Sequence, residues 1–205
     1  MDNKLYARLL TIAVAEKMTC AGRAVNLTHH LLQSLHLGGS VIEMGCFEGR
    51  TAALLSCAAT RRVWVFDSFE GLPAPDWQDA GAQPVFQKGV LKATEKTVET
   101  YFTSHGLAAP FMVKGWFADL SVKAMPERIC FAHLDADLFK STFDGLAQIY
   151  PRLVPGGVCI IDDYGWSGLP GVRAACDEYT AHCREDIFRL RTGNPDGCQG
   201  LLVKL

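Results

Sequence analysis

Residues 40–50 read S-V-I-E-M-G-C-F-E-G-R: a short apolar run closed by an acid, a glycine, then the start of a helical pattern. A glycine directly after a strand permits a tight turn and close approach of backbone to a ligand. The amino terminus of the following helix offers free N–H groups and a positive dipole end to a carboxylate. Upstream, residues 5–18 and 23–37 carry apolar side chains at helical spacing, as in Leu27, Leu31 and Leu35, and Gly38-Gly39 stops the second helix. Downstream, residues 49–59 read as helix and Arg62–Phe66 as a strand of branched and aromatic residues.

The alternation continues to the end of the chain. Residues 69–92, with Pro73, Pro75 and Pro84, read as a long loop of the kind that serves as a lid. Helix is expected near 93–105, strands at Phe111–Lys114 and Ile129–Leu134, and helix at 138–150. Pro155-Gly156-Gly157 is expected to turn the chain into a strand at Val158–Ile161, with a helix following near 170–183. Two last strands, near 186–190 and 199–204, flank Gly193-Asn194-Pro195-Asp196-Gly197, a hairpin signal. Alternating strands and helices imply an α/β fold, a mostly parallel sheet covered on both faces. Right-handed crossovers place the strand carboxyl ends along one edge, where such folds bind ligands.

Composition sets the outer bounds. The chain has 205 residues, 49% apolar, with 20 Lys plus Arg against 22 Asp plus Glu. That length suits one domain, residues 1–205, with N-terminal helices over 1–38. A net charge of -2 argues against nucleic acid as the main partner. No apolar run reaches the roughly 18 residues that span a bilayer, and no export signal follows Met1, so a cytoplasmic location is expected. None of the eight cysteines forms a C-x-x-C pair, so buried free thiols are expected rather than a zinc ribbon or a dithiol centre. A homodimer is the default assembly expected.

Chemically useful residues gather at the strand ends. Asp67 closes the second strand 22 residues after Gly45, a placement suited to gripping ribose hydroxyls. Glu43, just before the glycine, suits a ligand carrying an ammonium group. S-adenosylmethionine joins an amine and a carboxylate to a ribose. The glycine spacing is not G-x-G-x-x-G, which disfavours a nicotinamide cofactor. Two further strands end in Asp135-Ala136-Asp137 and Asp162-Asp163. Carboxylates crowded at one edge repel each other, and a hard divalent cation such as magnesium relieves that repulsion. Asp135 is the leading ligand. Asp137, just ahead of a helix, is read as its N-cap, His133 as a core or cleft residue, and Lys140 as a surface charge.

Four motifs then carry a resemblance: V-F-D-S-F-E-G-L-P at 65–73, K-G-W-F-A-D at 114–119, H-L-D-A-D-L-F-K-S-T at 133–142 and I-I-D-D-Y at 160–164. In this order they resemble the macrocin O-methyltransferase (TylF-type) family of class I methyltransferases. The resemblance implies a Rossmann-like seven-stranded sheet with an antiparallel last strand, and S-adenosylmethionine and Mg2+ as cofactors. It implies Glu43, Gly45 and Phe47 against the methionine part of the donor, Asp67 and Ser68 against the ribose, and Gly115, Trp116 and Phe117 around the adenine. It also implies Asp135, Asp162 and Asp163 around the metal, with Asp135 as general base toward a small-molecule hydroxyl. Leu138 stands where catechol-type enzymes often carry a lysine, which favours a sugar hydroxyl over a catechol. A phenolic acceptor and a non-catalytic nucleoside-binding module are the alternatives.

Overall fold

Apolar residues alternating on the strands, and apolar stripes on the helices between them, assemble one seven-stranded sheet with helices on both faces. The structure is a computed structural model and describes residues 2–15, 19–193 and 198–205. Helices α1 (Asn3–Ala15) and α2 (Ala21–Ser34) precede strand β1 (Ser40–Met44) and helix α3 (Arg50–Ala59). Then follow β2 (Trp64–Asp67), α4 (Glu95–Ser104), β3 (Phe111–Lys114), β4 (Ile129–Leu134) and α5 (Phe139–Ile149). β5 (Leu153–Ile161), α6 (Pro170–Thr180), β6 (Phe188–Arg191) and β7 (Cys198–Val203) complete the chain.

The strand order is β3-β2-β1-β4-β5-β7-β6. β1 to β5 pair in parallel, while β7 runs antiparallel to both β5 and β6. This is the sheet that the motifs imply. The turn residues 194–197, and residues 16–18 at the end of the first predicted helix, lie outside the described residues.

Strand periodicity splits the core in two. Val41, Val65, Phe131 and Ile160 face α1 to α4, packing on Leu9, Leu31, Leu55 and Phe102. Ile42, Met44, Leu134 and Ile161 face α5 and α6, packing on Leu146, Ile149 and Val172. Full burial of a side chain such as Phe66, Phe102 or Phe131 stabilises the fold by about 1.5–3 kcal/mol.

Two local expectations are corrected. Pro155-Gly156-Gly157 does not precede β5 but lies within it, at an irregularity where the register with β4 shifts. Gly156 adopts φ 79 and its N–H donates to Lys204 O at 2.7 Å, so the kink is paid for by pairing with the C-terminal segment. Asp137 does not cap α5. The N-cap position is Leu138, which has no capping side chain. The first helical N–H, that of Phe139, instead donates to Asp79 Oδ1 at 2.8 Å.

Asp79 belongs to the 69–92 segment, where the only helical turn among the described residues is Trp77–Asp79. Asp79 is buried and shares a capping box with Asp76. Gln83 N donates to Gly168 O at 2.9 Å, and Phe86 meets Trp166 edge-on. The long loop is thus fastened to the starts of α5 and α6. Replacing Asp79 by Ala removes an N-cap worth about 1–2 kcal/mol. The thermal midpoint is then expected to fall by about 2–8 °C, with faster proteolysis inside 69–92. An unchanged midpoint and cleavage rate would show that this contact does not hold the loop.

Candidate active site

The carboxyl ends of β1 and β4 lie against each other. Asp135 N donates to Met44 O at 2.9 Å, and a Cβ built on Gly45 would stand 1.8 Å from Asp135 O. Gly45 also has φ 85, so both its conformation and its surroundings exclude a side chain. A cavity of about 390 Å³ opens over these ends, lined by residues from the β1–α3, β2, β3 and β4–α5 connections.

On the β1 side, Glu43 is 1% exposed. Its Oε1 accepts from His133 Nδ1 at 2.8 Å. Its Oε2 is buried and has no hydrogen-bond partner among the described residues, yet Glu43 lines the cavity. Burial pushes this carboxyl up and the His133 bond pulls it back. A buried acceptor without a partner is a group that a hydrogen-bond donor from outside the chain can satisfy.

Asp67 holds the glycine turn itself. Its Oδ2 accepts from the backbone N–H groups of Cys46, at 3.0 Å, and Phe47, at 3.1 Å, and its Oδ1 from that of Phe69, at 2.8 Å. Burial raises its pKa against those three bonds. Phe47 and Phe69 both sit at positive φ, 46 and 55, held there by this carboxylate. Ser68 turns into its own loop, donating to Gly71 O at 3.0 Å and accepting from Glu70 N. Gly115, Trp116 and Phe117, at the end of β3, line the cavity together with Leu72, Pro73 and Leu91 from the long loop.

The acids at the ends of β4 and β5 divide into two groups. Asp135, Asp137 and Asp163 line the cavity, and one carboxylate oxygen from each lies within 4.8 Å of the others. Burial and mutual repulsion raise Asp135, and push Asp137 up to about 8. Asp137 and Asp163 sit at φ 60 and 57, strained positions that aim them inward. Asp162 lies beneath, outside the cavity lining. It accepts from Arg23 Nη1 at 3.0 Å and from Gln199 Nε2, and lies 3.4 Å from His133 Nε2. Burial alone would raise Asp162, but His133, Arg23 and Gln199 hold it down at about 2. A second group of ligand atoms within 4.8 Å of one another joins His133, Asp135 and Asp162, so the expected acids Asp135, Asp162 and Asp163 are spread over two groups that share Asp135, and Asp137 joins Asp163 on the cavity side.

Arg23 and Gln199 were not legible as site residues. Arg23 bridges Asp162 and Asp163 from α2, and burial fails to lower its guanidinium because these acids hold it raised. One signal was present: Arg23 lies four residues before Leu27 and eight before Leu31, a charge on the apolar stripe. His133 is fully buried, as read. Lys140 pairs with Asp144 at 2.7 Å on the rim of the cavity, so it is both exposed and cleft-lining. All eight cysteines are free thiols, and burial raises that of Cys46, in the turn, away from reactivity.

The cavity thus combines a buried, half-partnered carboxylate, a glycine turn at a helix start, two aromatic residues and a three-acid cluster. The profile of the family described as macrocin-O-methyltransferase (TylF) matches residues 12–189. A relative from Streptomyces olivaceus, 8-demethyl-8-(2,3-dimethoxy-alpha-L-rhamnosyl)-tetracenomycin-C 4'-O-methyltransferase, is 33% identical over 82% of this chain and 68% of its own. Mycinamicin III 3''-O-methyltransferase from Micromonospora griseorubida is 33% identical over 81% of this chain and 70% of its own. Among solved structures, the O-methyltransferase NovP superposes with a TM-score of 0.73 at 26% identity, covering 89% of this chain and 79% of its own. Sequence, sheet order and cleft agree, and the chain belongs to the macrocin O-methyltransferase family of class I, S-adenosylmethionine-dependent O-methyltransferases.

Proposed function

We propose that this chain methylates a hydroxyl of a sugar or glycosylated natural product, with Mg2+ held by Asp135, Asp137 and Asp163. The observation that carries this reading is that the three-acid cluster and Glu43, whose Oε2 is buried without a partner, line one cavity. The Streptomyces olivaceus relative is named for 4'-O-methylation of a rhamnosyl tetracenomycin and the Micromonospora griseorubida relative for 3''-O-methylation of mycinamicin III, both natural products. The donor set fits the ion: three clustered oxygen ligands suit a hard divalent cation, and Arg23 supplies one positive charge where four acids meet.

Glu43 would take the donor's ammonium and the helix start at Gly49–Arg50 its carboxylate. Asp67 and Ser68 would meet the ribose through lone pairs left over from their turns, and Gly115, Trp116 and Phe117 the adenine. The sulfonium of S-adenosylmethionine supplies a methyl group that is already electrophilic. When bound, Mg2+ lowers a hydroxyl's pKa and fixes its position. Asp135, nearest the glycine turn, would accept the hydroxyl proton as the oxygen attacks in line. Leu138 is buried and offers no amine to the acceptor, which supports an aliphatic hydroxyl over a catechol.

Asp135→Asn is expected to lower turnover by about a thousandfold or more while donor affinity stays within about twofold. An acceptor screen of glycosides against catechols, run with and without chelator, reads the substrate class and the metal together. Full activity in chelator would remove the metal from this reading. Protons compete with the ion for Asp135, Asp137 and Asp163, so Mg2+ affinity is expected to rise from pH 6.5 to 8.5, across the Asp137 value of about 8. Calorimetry at both pH values checks this, and the slope should flatten in Asp137→Asn.

A further inference from the structure

We infer that His133 is a positioning residue for the methyl donor: it fixes Glu43 so that Oε2 meets the donor's ammonium. The inference rests on the donor reading of the cavity given above.

The sheet register makes this contact. Glu43 of β1 and His133 of β4 are direct partners on adjacent parallel strands, so their side chains leave the same face side by side. Both are essentially inaccessible, and the Nδ1···Oε1 bond is 2.8 Å. A carboxylate that accepts here must receive the Nδ1 proton. One oxygen of Glu43 is thereby anchored, and the other is buried without a hydrogen-bond partner in a residue that lines the cavity. Without that anchor the side chain keeps its rotamer freedom, and ordering it would fall on the binding step.

The opposite edge of the ring lies against Asp162, although Nε2 has no hydrogen-bond partner among the described residues. Nε2 lies 3.4 Å from Asp162 Oδ1, and Asp162 is itself fixed by Arg23 of α2 and Gln199 of β7. Asn26 of α2 donates to Gln199 Oε1 at 2.9 Å and closes the row. The buried polar row Gln199, Asp162, His133, Glu43 runs from β7 past the end of β5 and across β4 to β1, hydrogen-bonded at each end and joined in the middle by that 3.4 Å approach. The imidazole is its only link between the acid-rich end and Glu43 among the described residues. The row is left open at two atoms, His133 Nε2 and Glu43 Oε2, and of these two residues Glu43 alone lines the cavity.

Two substitutions separate the ring's edges. Asn places its amide N–H near the position of Nδ1, and Gln places its own near that of Nε2. Two ligands separate the ammonium from the rest of the donor: S-adenosylmethionine, and 5′-deoxy-5′-methylthioadenosine, which lacks the amino acid. Each is titrated calorimetrically into wild type and variants without metal or acceptor. His133→Gln is expected to weaken S-adenosylmethionine about tenfold or more and to leave methylthioadenosine within about twofold. His133→Asn should stay within about threefold of wild type for both. Equal losses for both ligands, wild-type affinity in His133→Gln, or equal losses in the two variants would overturn the inference. If His133→Gln does not fold, His133→Leu replaces it, with the same selective loss expected and a uniform loss overturning. A wild-type protein that binds neither nucleoside would sink the donor reading itself, and this inference with it.

Discussion

Glu43, Asp67, Asp135, Asp137, Asp162 and Asp163 meet at the carboxyl edge of one sheet, and burial raises the cost of every charge among them. The molecule answers that cost in three ways. Backbone N–H groups satisfy Asp67. Arg23 and His133 compensate Asp162, and Arg23 reaches Asp163. What is left, Asp135 with Asp137 and one oxygen of Glu43, is an unmet demand for cations facing a cavity. Binding is the remaining way to satisfy buried acids that the protein itself does not pair.

The same accounting explains where strain sits. Phe47, Asp137 and Asp163 all hold positive φ within the site, a conformation that costs about 1–3 kcal/mol each for ordinary residues. Each aims a group that a relaxed turn would point elsewhere. Asp67 holds the first, and Arg23 grips the last. The N-terminal helices are therefore more than a cover for the sheet: α2 contributes the only guanidinium among the described residues that bridges the two strand-end acids.

The loop over 69–92 follows a related logic. Its apolar residues Leu72 and Leu91 wall the cavity, while its acid Asp79 leaves the cleft and serves α5. The start of α5, which has no capping side chain at its own N-cap, is thereby tied to the segment that walls the cavity.

Much of this was legible in the chain alone. Branched runs marked the strands, Gly45 marked the turn, and acids at strand ends marked the edge, because each signal is local and follows from backbone sterics and periodicity. The motifs from 65 to 164 pointed to the family. What the sequence could not assign was direction beyond each strand end. Alternation predicts which face a side chain takes only while the pleat lasts. At Asp137 and Asp163 the backbone leaves it for positive φ, so Asp137 turned inward while Asp162 stayed beneath. Partners distant in the chain were equally hidden: Arg23 meets Asp162 across 139 positions and Asp79 meets Phe139 across 60. No local pattern records such pairs, since they exist only once the sheet has brought its edges together.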